Sequence, residues 1–145
     1  MTLDAVDRRI LRLLQSDGKL SYQEIGEAVG LSAPAAFQRV RKLESSGAIT
    51  GYHARVAPAA LDRAVLAFIE AVPDGAVDQG LLRRWHKTPA IQECHRLSGT
   101  DRFLLKVRCG SQADLVELVD AVRRAGCAVR TEIALETEFE RWTVG

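Results

Sequence analysis

The chain has 145 residues, 47% hydrophobic and 27% charged, with a formal net charge of +1. That is the composition of a folded globular chain of one domain or two small ones. No apolar run reaches about 18 residues, which excludes a membrane-spanning helix. Asp4 and Asp7 stand where an export signal would need a basic start, so a cytoplasmic location is expected.

The first element runs from Leu3 to Leu14. Asp4 is placed to cap it, and Val6, Ile10, Leu13 and Leu14 line one face of a helix. Asp17-Gly18 then makes a turn. Ser21 stands three residues before Glu24, just ahead of Ile25, Ala28 and Val29, which is a capping box opening a second helix. Gly30 ends that helix, because it tolerates the left-handed backbone found at helix C-termini. Ser32 caps a third helix with Pro34 in its first turn, and Gly47 closes it. Three helices in about 45 residues make a small winged or plain helix-turn-helix module.

On the third helix Ala36, Val40 and Leu43 form the stripe to be buried. The far face holds Pro34, Gln38, Arg41 and Ser45, with Phe37 and Lys42 at its flanks. Net charge hardly favours an anionic partner, but placement does: Arg39, Arg41 and Lys42 stand against Glu44 alone. A basic helix of this width fits the DNA major groove with its N-terminal residues nearest the bases. The expected DNA-binding set is Ser32, Pro34, Gln38, Arg39, Arg41 and Lys42. Gln38 suits an adenine edge, and Arg41 a guanine or a phosphate. Arg39 lies nearer the buried stripe and reads as a buttress or a phosphate contact. The competing reading of the segment is an amphipathic helix with a solvated polar face.

Ile49–Val56 reads as a strand leaving the module. Residues 1–50 are thus expected to form the DNA-binding domain, 51–62 a linker strand or hinge around Pro58, and 63–145 a second domain. Ala64–Val72 is a near-continuous apolar run that reads as a strand. Val77–His86 follows as a helix with Val77, Leu81, Leu82 and Trp85 on one face. Ala90–Leu97 and Phe103–Cys109 read as strands, the latter with a clear period of two. Leu115, Leu118, Val119 and Val122 mark another helix, stopped by Gly126. Val129 to Phe139 alternates throughout and predicts a long last strand. The order β-α-β-β-α-β is the ferredoxin-like unit, an α+β arrangement with two helices on one face of a four-stranded sheet. Its other face stays open and partly apolar, as at a subunit interface.

Ser98–Arg102 joins the two middle strands and reads either as a hairpin turn or as a ligand loop. Gly99 permits close backbone approach and Asp101 offers a carboxylate to an ammonium group. Cys94, Cys109 and Cys127 form no Cys-x-x-Cys pair, and Cys94 and His95 are adjacent in a strand, pointing to opposite faces. No disulfide framework, metal site or cofactor is expected, and the thiols read as inert packing.

Taken together, Leu3-Asp-x-x-Asp-Arg-x-Ile-Leu11, the Gly30-Leu-Ser turn with Arg39-Val and Leu43-Glu44, Gly47-x-Ile-x-Gly-Tyr52, and Glu93-Cys-His-Arg-Leu-Ser-Gly-x-Asp-x-Phe-Leu-Leu-Lys-Val107 resemble the Lrp/AsnC family of bacterial and archaeal transcription factors. The resemblance runs from Leu3 to about Phe139. It implies an N-terminal winged helix-turn-helix, a C-terminal αβ-sandwich that senses amino acids, and homodimers joining into tetramers, octamers or open arrays. It places the effector near the loop matching Ser98 to Phe103, so Gly99, Thr100 and Asp101 are carried over, with Thr131 and Glu132 of a neighbouring subunit completing the pocket. Arg102, long and cationic where many members have a smaller or aromatic residue, either binds an effector carboxylate or fills the site.

The leading expectation is therefore a sequence-specific DNA-binding regulator whose assembly responds to a small amino acid. An enzyme is disfavoured, because no nucleophile-base pair, paired carboxylates or Gly-rich phosphate loop with a following Lys is present. Two further readings stay open: an effector-free architectural protein that wraps DNA, and a redox sensor acting through Cys94 or Cys109.

Overall fold

The computed structural model describes residues 2–99 and 101–144. It divides the chain into two compact units, one of residues 1–55 and 139–145, the other Val56–Glu138. The C-terminal residues 139–144 thus pack with the first unit, not with residues 63–138 as their position in the sequence suggests.

The first unit is built from α1 (Ala5–Ser16), α2 (Tyr22–Val29) and α3 (Ala33–Ser45). Asp4 caps α1 by accepting the Asp7 amide at 2.7 Å, and the Asp7 carboxylate accepts the Asp4 amide in return. Ser21 and Glu24 form the predicted box on α2, and Ser32 caps α3 by accepting from the Ala35 amide. The core is Ile10, Ile25, Ala36, Val40 and Leu43, with Leu3, Val6, Leu11, Leu14, Leu20, Val29 and Ile49 against it.

Two contacts fix α3. Gly26 is buried, and the Leu31 amide donates to its carbonyl at 2.8 Å, folding the turn back onto α2. A Cβ at Gly26 would stand 2.5 Å from the Leu31 carbonyl oxygen, so the turn closes only over a glycine. Gly30 ends α2 at φ 75°, as predicted. From the other side Arg39 of α3 donates to both Asp4 and Asp7 of α1, the latter at 2.8 Å. The Asp7 amide first, and then the Arg39 guanidinium, hold the Asp4 carboxyl below its ordinary range. Arg39 is raised in turn by its two carboxylate partners.

Residues 50–57 form no strand, contrary to expectation: the segment is unpaired, and an extended chain without a partner makes no ladder. The described residues of the first unit therefore show a plain three-helix module without a strand-built wing. The C-terminal residues are tied to α1 by Gln15, whose side-chain amide donates to the Val144 carbonyl and accepts from its amide. Arg55 stacks over Trp142 at 6.0 Å.

The second unit contains a short 3-10 turn at Pro58–Leu61, then β1 (Val65–Pro73), α4 (Gln79–His86), β2 (Ile91–Leu97), β3 (Arg102–Cys109), α5 (Gln112–Arg124) and β4 (Cys127–Ile133). The sheet order is β2-β3-β1-β4, antiparallel throughout. Ala67, Ile69, Ala71, Phe103, Leu105, Val107 and Cys109 turn one face inward against Leu81, Trp85, Leu115, Val119 and Val122 of the two helices. Trp85 meets Phe103 edge-on at 5.5 Å. This is the expected ferredoxin-like layer pair.

The last strand stops at Ile133, six residues short of Phe139. Ile133 pairs with Ala67, and the Ala134 amide reaches the Leu66 carbonyl, after which β1 has almost no residues left to offer. Alternation beyond that point has no ladder to join, and Leu135 is fully exposed.

The tight turn yields a stability prediction. Gly26→Ala is expected to destabilise the first unit by about 1–3 kcal/mol, the usual range for overpacking against fixed backbone. Gly75→Ala, where a Cβ meets nothing within 4 Å, is expected to be neutral. Denaturant unfolding of both variants measures the difference.

Candidate nucleic-acid interface and ligand loop

The face of α3 turned away from the core carries Pro34, Phe37, Gln38, Arg41, Lys42 and Ser45, all exposed, next to the exposed cap Ser32. The helix thus presents a donor-rich surface to the outside while Ala36, Val40 and Leu43 hold its other side. Arg41 makes a loose ion pair with Glu44 at 3.3 Å, an exposed contact that leaves it available. Arg39, read from the sequence as a buttress or a phosphate contact, has its guanidinium engaged by Asp4 and Asp7 and so buttresses α3 against α1.

Phe37 and Tyr22 were not predicted as site residues. Their rings meet edge-to-face, 5.1 Å between centroids. Phe37 fell at the flank of the polar face in the sequence, and only the position of Tyr22 at the start of α2 shows that the two form one exposed pair.

At the second candidate site Gly99 adopts φ 97°, with open space where a side chain would stand. Thr100 lies outside the described residues. Asp101 is exposed and already paired, at 3.1 Å, with Arg96 of β2. Arg96 itself lies over the Phe103 ring at 5.5 Å and is a strand residue beside the loop that sequence reasoning missed. Arg102 faces away from the helices and approaches Glu70 only to 3.7 Å, while its Nε is buried without a partner. A guanidinium with an unused buried donor is suited to receive a carboxylate.

Thr131 and Glu132 do not come together. Thr131 stands opposite Ile69 on the helix-covered face, with its hydroxyl buried and unpartnered. Glu132 stands opposite Phe68 on the open face and pairs with Arg130 at 2.7 Å. Two neighbouring residues of one strand cannot line one side of a pocket.

The open face also carries Phe68 and Leu104 among Glu70, Glu93, His95 and Lys106. Glu93 bridges His95 at 3.0 Å and Lys106 at 3.2 Å, and these two partners hold its carboxyl below the ordinary range. Cys109 and Cys127 are buried and Cys94 is exposed, and desolvation raises all three thiols. Protonated thiols are poor nucleophiles, which disfavours the redox reading. No described group of three or more His, Cys, Asp or Glu residues could hold a metal. No described helix is long and apolar enough to cross a membrane. A concavity of about 530 Å³, lined by Leu3, Leu11, Leu14, Ile49 and Trp142, lies within the first unit and shares no residue with the ligand loop.

Residues 3–44 match the family model of the AsnC-type helix-turn-helix domain, and residues 66–142 that of the Lrp/AsnC ligand binding domain. The chain is 33% identical over 139 residues to the HTH-type transcriptional regulator LrpA of Mycobacterium tuberculosis, covering 94% of this chain and 93% of that protein. It is 43% identical over 109 residues to the leucine-responsive regulatory protein of Escherichia coli, covering 73% of this chain and 66% of that protein. Among solved structures, a feast or famine regulatory protein from M. tuberculosis complexed with L-methionine superposes with a TM-score of 0.90. It is 32% identical, and 99% of each chain is covered. Both halves of the chain thus agree in sequence and in fold with one group of proteins, and the chain belongs to the Lrp/AsnC family of transcriptional regulators.

Proposed function

We propose that this regulator binds specific DNA sites through α3, as a homodimer that joins into tetramers or octamers, and that its assembly responds to a small amino acid. The observation that carries the reading is the exposed face of α3, with Pro34, Gln38, Arg41 and Lys42 on a helix fixed from behind by Arg39 and by the glycine turn. In this arrangement Gln38 and Arg41 read base edges, Lys42 takes a phosphate, and Ser32 and Pro34 bring the helix N-terminus to the groove.

Gln38→Ala and Arg41→Ala are each expected to lose about 1–3 kcal/mol of specific binding, whereas Lys42→Ala weakens binding to all sequences alike. Arg39→Ala acts differently: it removes one of the two partners of the buried Asp7 carboxylate and is expected to cost about 1–3 kcal/mol of stability, read as a lower melting temperature. Binding isotherms on sites selected from a random duplex pool, with melting curves for each variant, separate the two effects. Unchanged affinity in a Gln38→Ala, Arg41→Ala double variant contradicts the reading.

The open sheet face supports self-association. Phe68 and Leu104 are apolar groups set among charges that a second copy can pair. Leu104→Arg is expected to shift sedimentation of the full chain to the monomer. An unchanged assembly places the interface elsewhere.

For the effector, support comes from the orphaned Arg102 donor, from the Asp101 carboxylate, and from the relative solved with L-methionine. Arg102 takes the carboxylate and Asp101 the ammonium, with Gly99 and Thr100 lending backbone. Thr131 and Glu132 remain proposed contacts only one at a time. L-Methionine, or another of the twenty amino acids, at a hundred times its dissociation constant is expected to stabilise the protein by about 2.7 kcal/mol. Asp101→Ala and Arg102→Ala each abolish that thermal shift while DNA binding survives. The Arg96–Asp101 pair, which already satisfies Asp101, favours a second reading as an effector-free architectural protein. A null result with all twenty amino acids selects that reading.

A further inference from the structure

Phe37 is 37% exposed and Tyr22 40% exposed, although each is a large ring beside a well-formed core. Neither belongs to the buried cluster of the first unit. The rings lie 81° apart in the edge-to-face geometry that aromatic pairs prefer. Tyr22 is the first residue of α2, so the Phe37 ring is braced from a second helix. On α3, Phe37 is one turn from both Pro34 and Arg41, which makes the three surface neighbours. The exposed face of the helix therefore has an apolar, pre-positioned edge beside its hydrogen-bonding residues.

The DNA major groove offers one apolar group among its donors and acceptors, the C5-methyl of thymine. We propose that Phe37, held in place by Tyr22, is a specificity-determining residue that reads thymine methyl groups in the major groove, next to the bases taken by Gln38 and Arg41. The inference rests on the proposed docking of α3. A phenyl ring has no hydrogen bond to give, so it distinguishes thymine from other bases by the methyl alone. Burial of the ring against that methyl also removes the apolar surface that the free protein leaves wet.

The test uses the full-length protein. Duplexes that it binds tightly are selected from a random pool and resynthesised with deoxyuridine for thymidine, which removes the methyl and keeps every Watson–Crick hydrogen bond. The wild type is expected to lose about fourfold in affinity for each methyl touched, the equivalent of one buried methylene. Phe37→Ala is expected to bind thymine and uracil duplexes equally. Phe37→Gln, a polar residue that an exposed helix position tolerates, provides the same readout should the alanine variant melt early. Equal binding of both duplexes by the wild type overturns the inference, and the pair then only seals the gap between α2 and α3. Persistence of the uracil penalty in both variants also overturns it, because another residue then reads the methyl. Those outcomes leave DNA binding by α3 intact. Failure to retain any duplex from the pool refutes the docking itself, and this inference with it.

Discussion

Strand β1 is hydrogen-bonded along both edges, to β3 and to β4, and its alternation therefore sets the facing of the whole sheet. Once Ala67, Ile69 and Ala71 turn toward the helices, Phe103, Leu105 and Val107 must follow, because paired residues share a face. The same registry sends Phe68, Glu70, Leu104 and Lys106 to the uncovered side. A register slip of one residue would exchange the two sets, exposing the core and burying the charges. The buried layer thus specifies the composition of the open face before any partner is considered. The ligand loop is a consequence as well: Gly99 and Asp101 sit where β2 turns into β3, and Arg102 is the first residue of β3 on the open side.

The first unit solves an equivalent problem by different means. A three-helix module of this size has little apolar area to fix the pitch of one helix against another. Two directional contacts supply what packing cannot. The backbone of α2 approaches the turn at Leu31 closely enough to exclude any side chain at Gly26. Arg39 joins α3 to the capping residues of α1, so the carboxylates that cap one helix also locate the next. Asp7, the described buried charged residue, is satisfied on both counts, which is the condition under which a buried carboxylate is tolerated.

Much of this was legible in the sequence because it rests on local rules. Ser21 with Glu24, Gly30 and Ser32 announced their helix ends, and Ala36, Val40 and Leu43 announced the buried stripe. The alternation of β3 and the stripe of α5 gave the second unit its order. What failed depended on partners. Ile49–Val56 and the stretch after Ile133 carry strand-like residues, but a strand exists only where another offers a free edge. Arg39 could not be assigned because its role depends on Asp4 and Asp7, more than thirty residues earlier. Arg96 was passed over because its partner, Asp101, is reached only across the hairpin. Thr131 with Glu132 is a different case: adjacent residues of a strand face opposite ways, and that rule was already available.

The Arg96–Asp101 pair bears on how a ligand would act in the proposed function. Both side chains are more than half exposed, and an ion pair of that kind contributes about 0–1 kcal/mol. An amino acid that offers Asp101 an ammonium and Arg102 a carboxylate replaces one exposed contact with charge-assisted bonds in a less hydrated setting. The exchange is favourable only if the site is drier with the ligand than without it, because in open water each bond formed replaces one to solvent. A single protomer leaves Gly99 and Asp101 exposed. The missing enclosure must come from a second surface laid over the loop, which is the condition under which ligand occupancy and assembly become one equilibrium. By the same linkage, whatever assembly completes the pocket is stabilised by the ligand to the extent that it binds the ligand more tightly, and DNA geometry changes only through that difference.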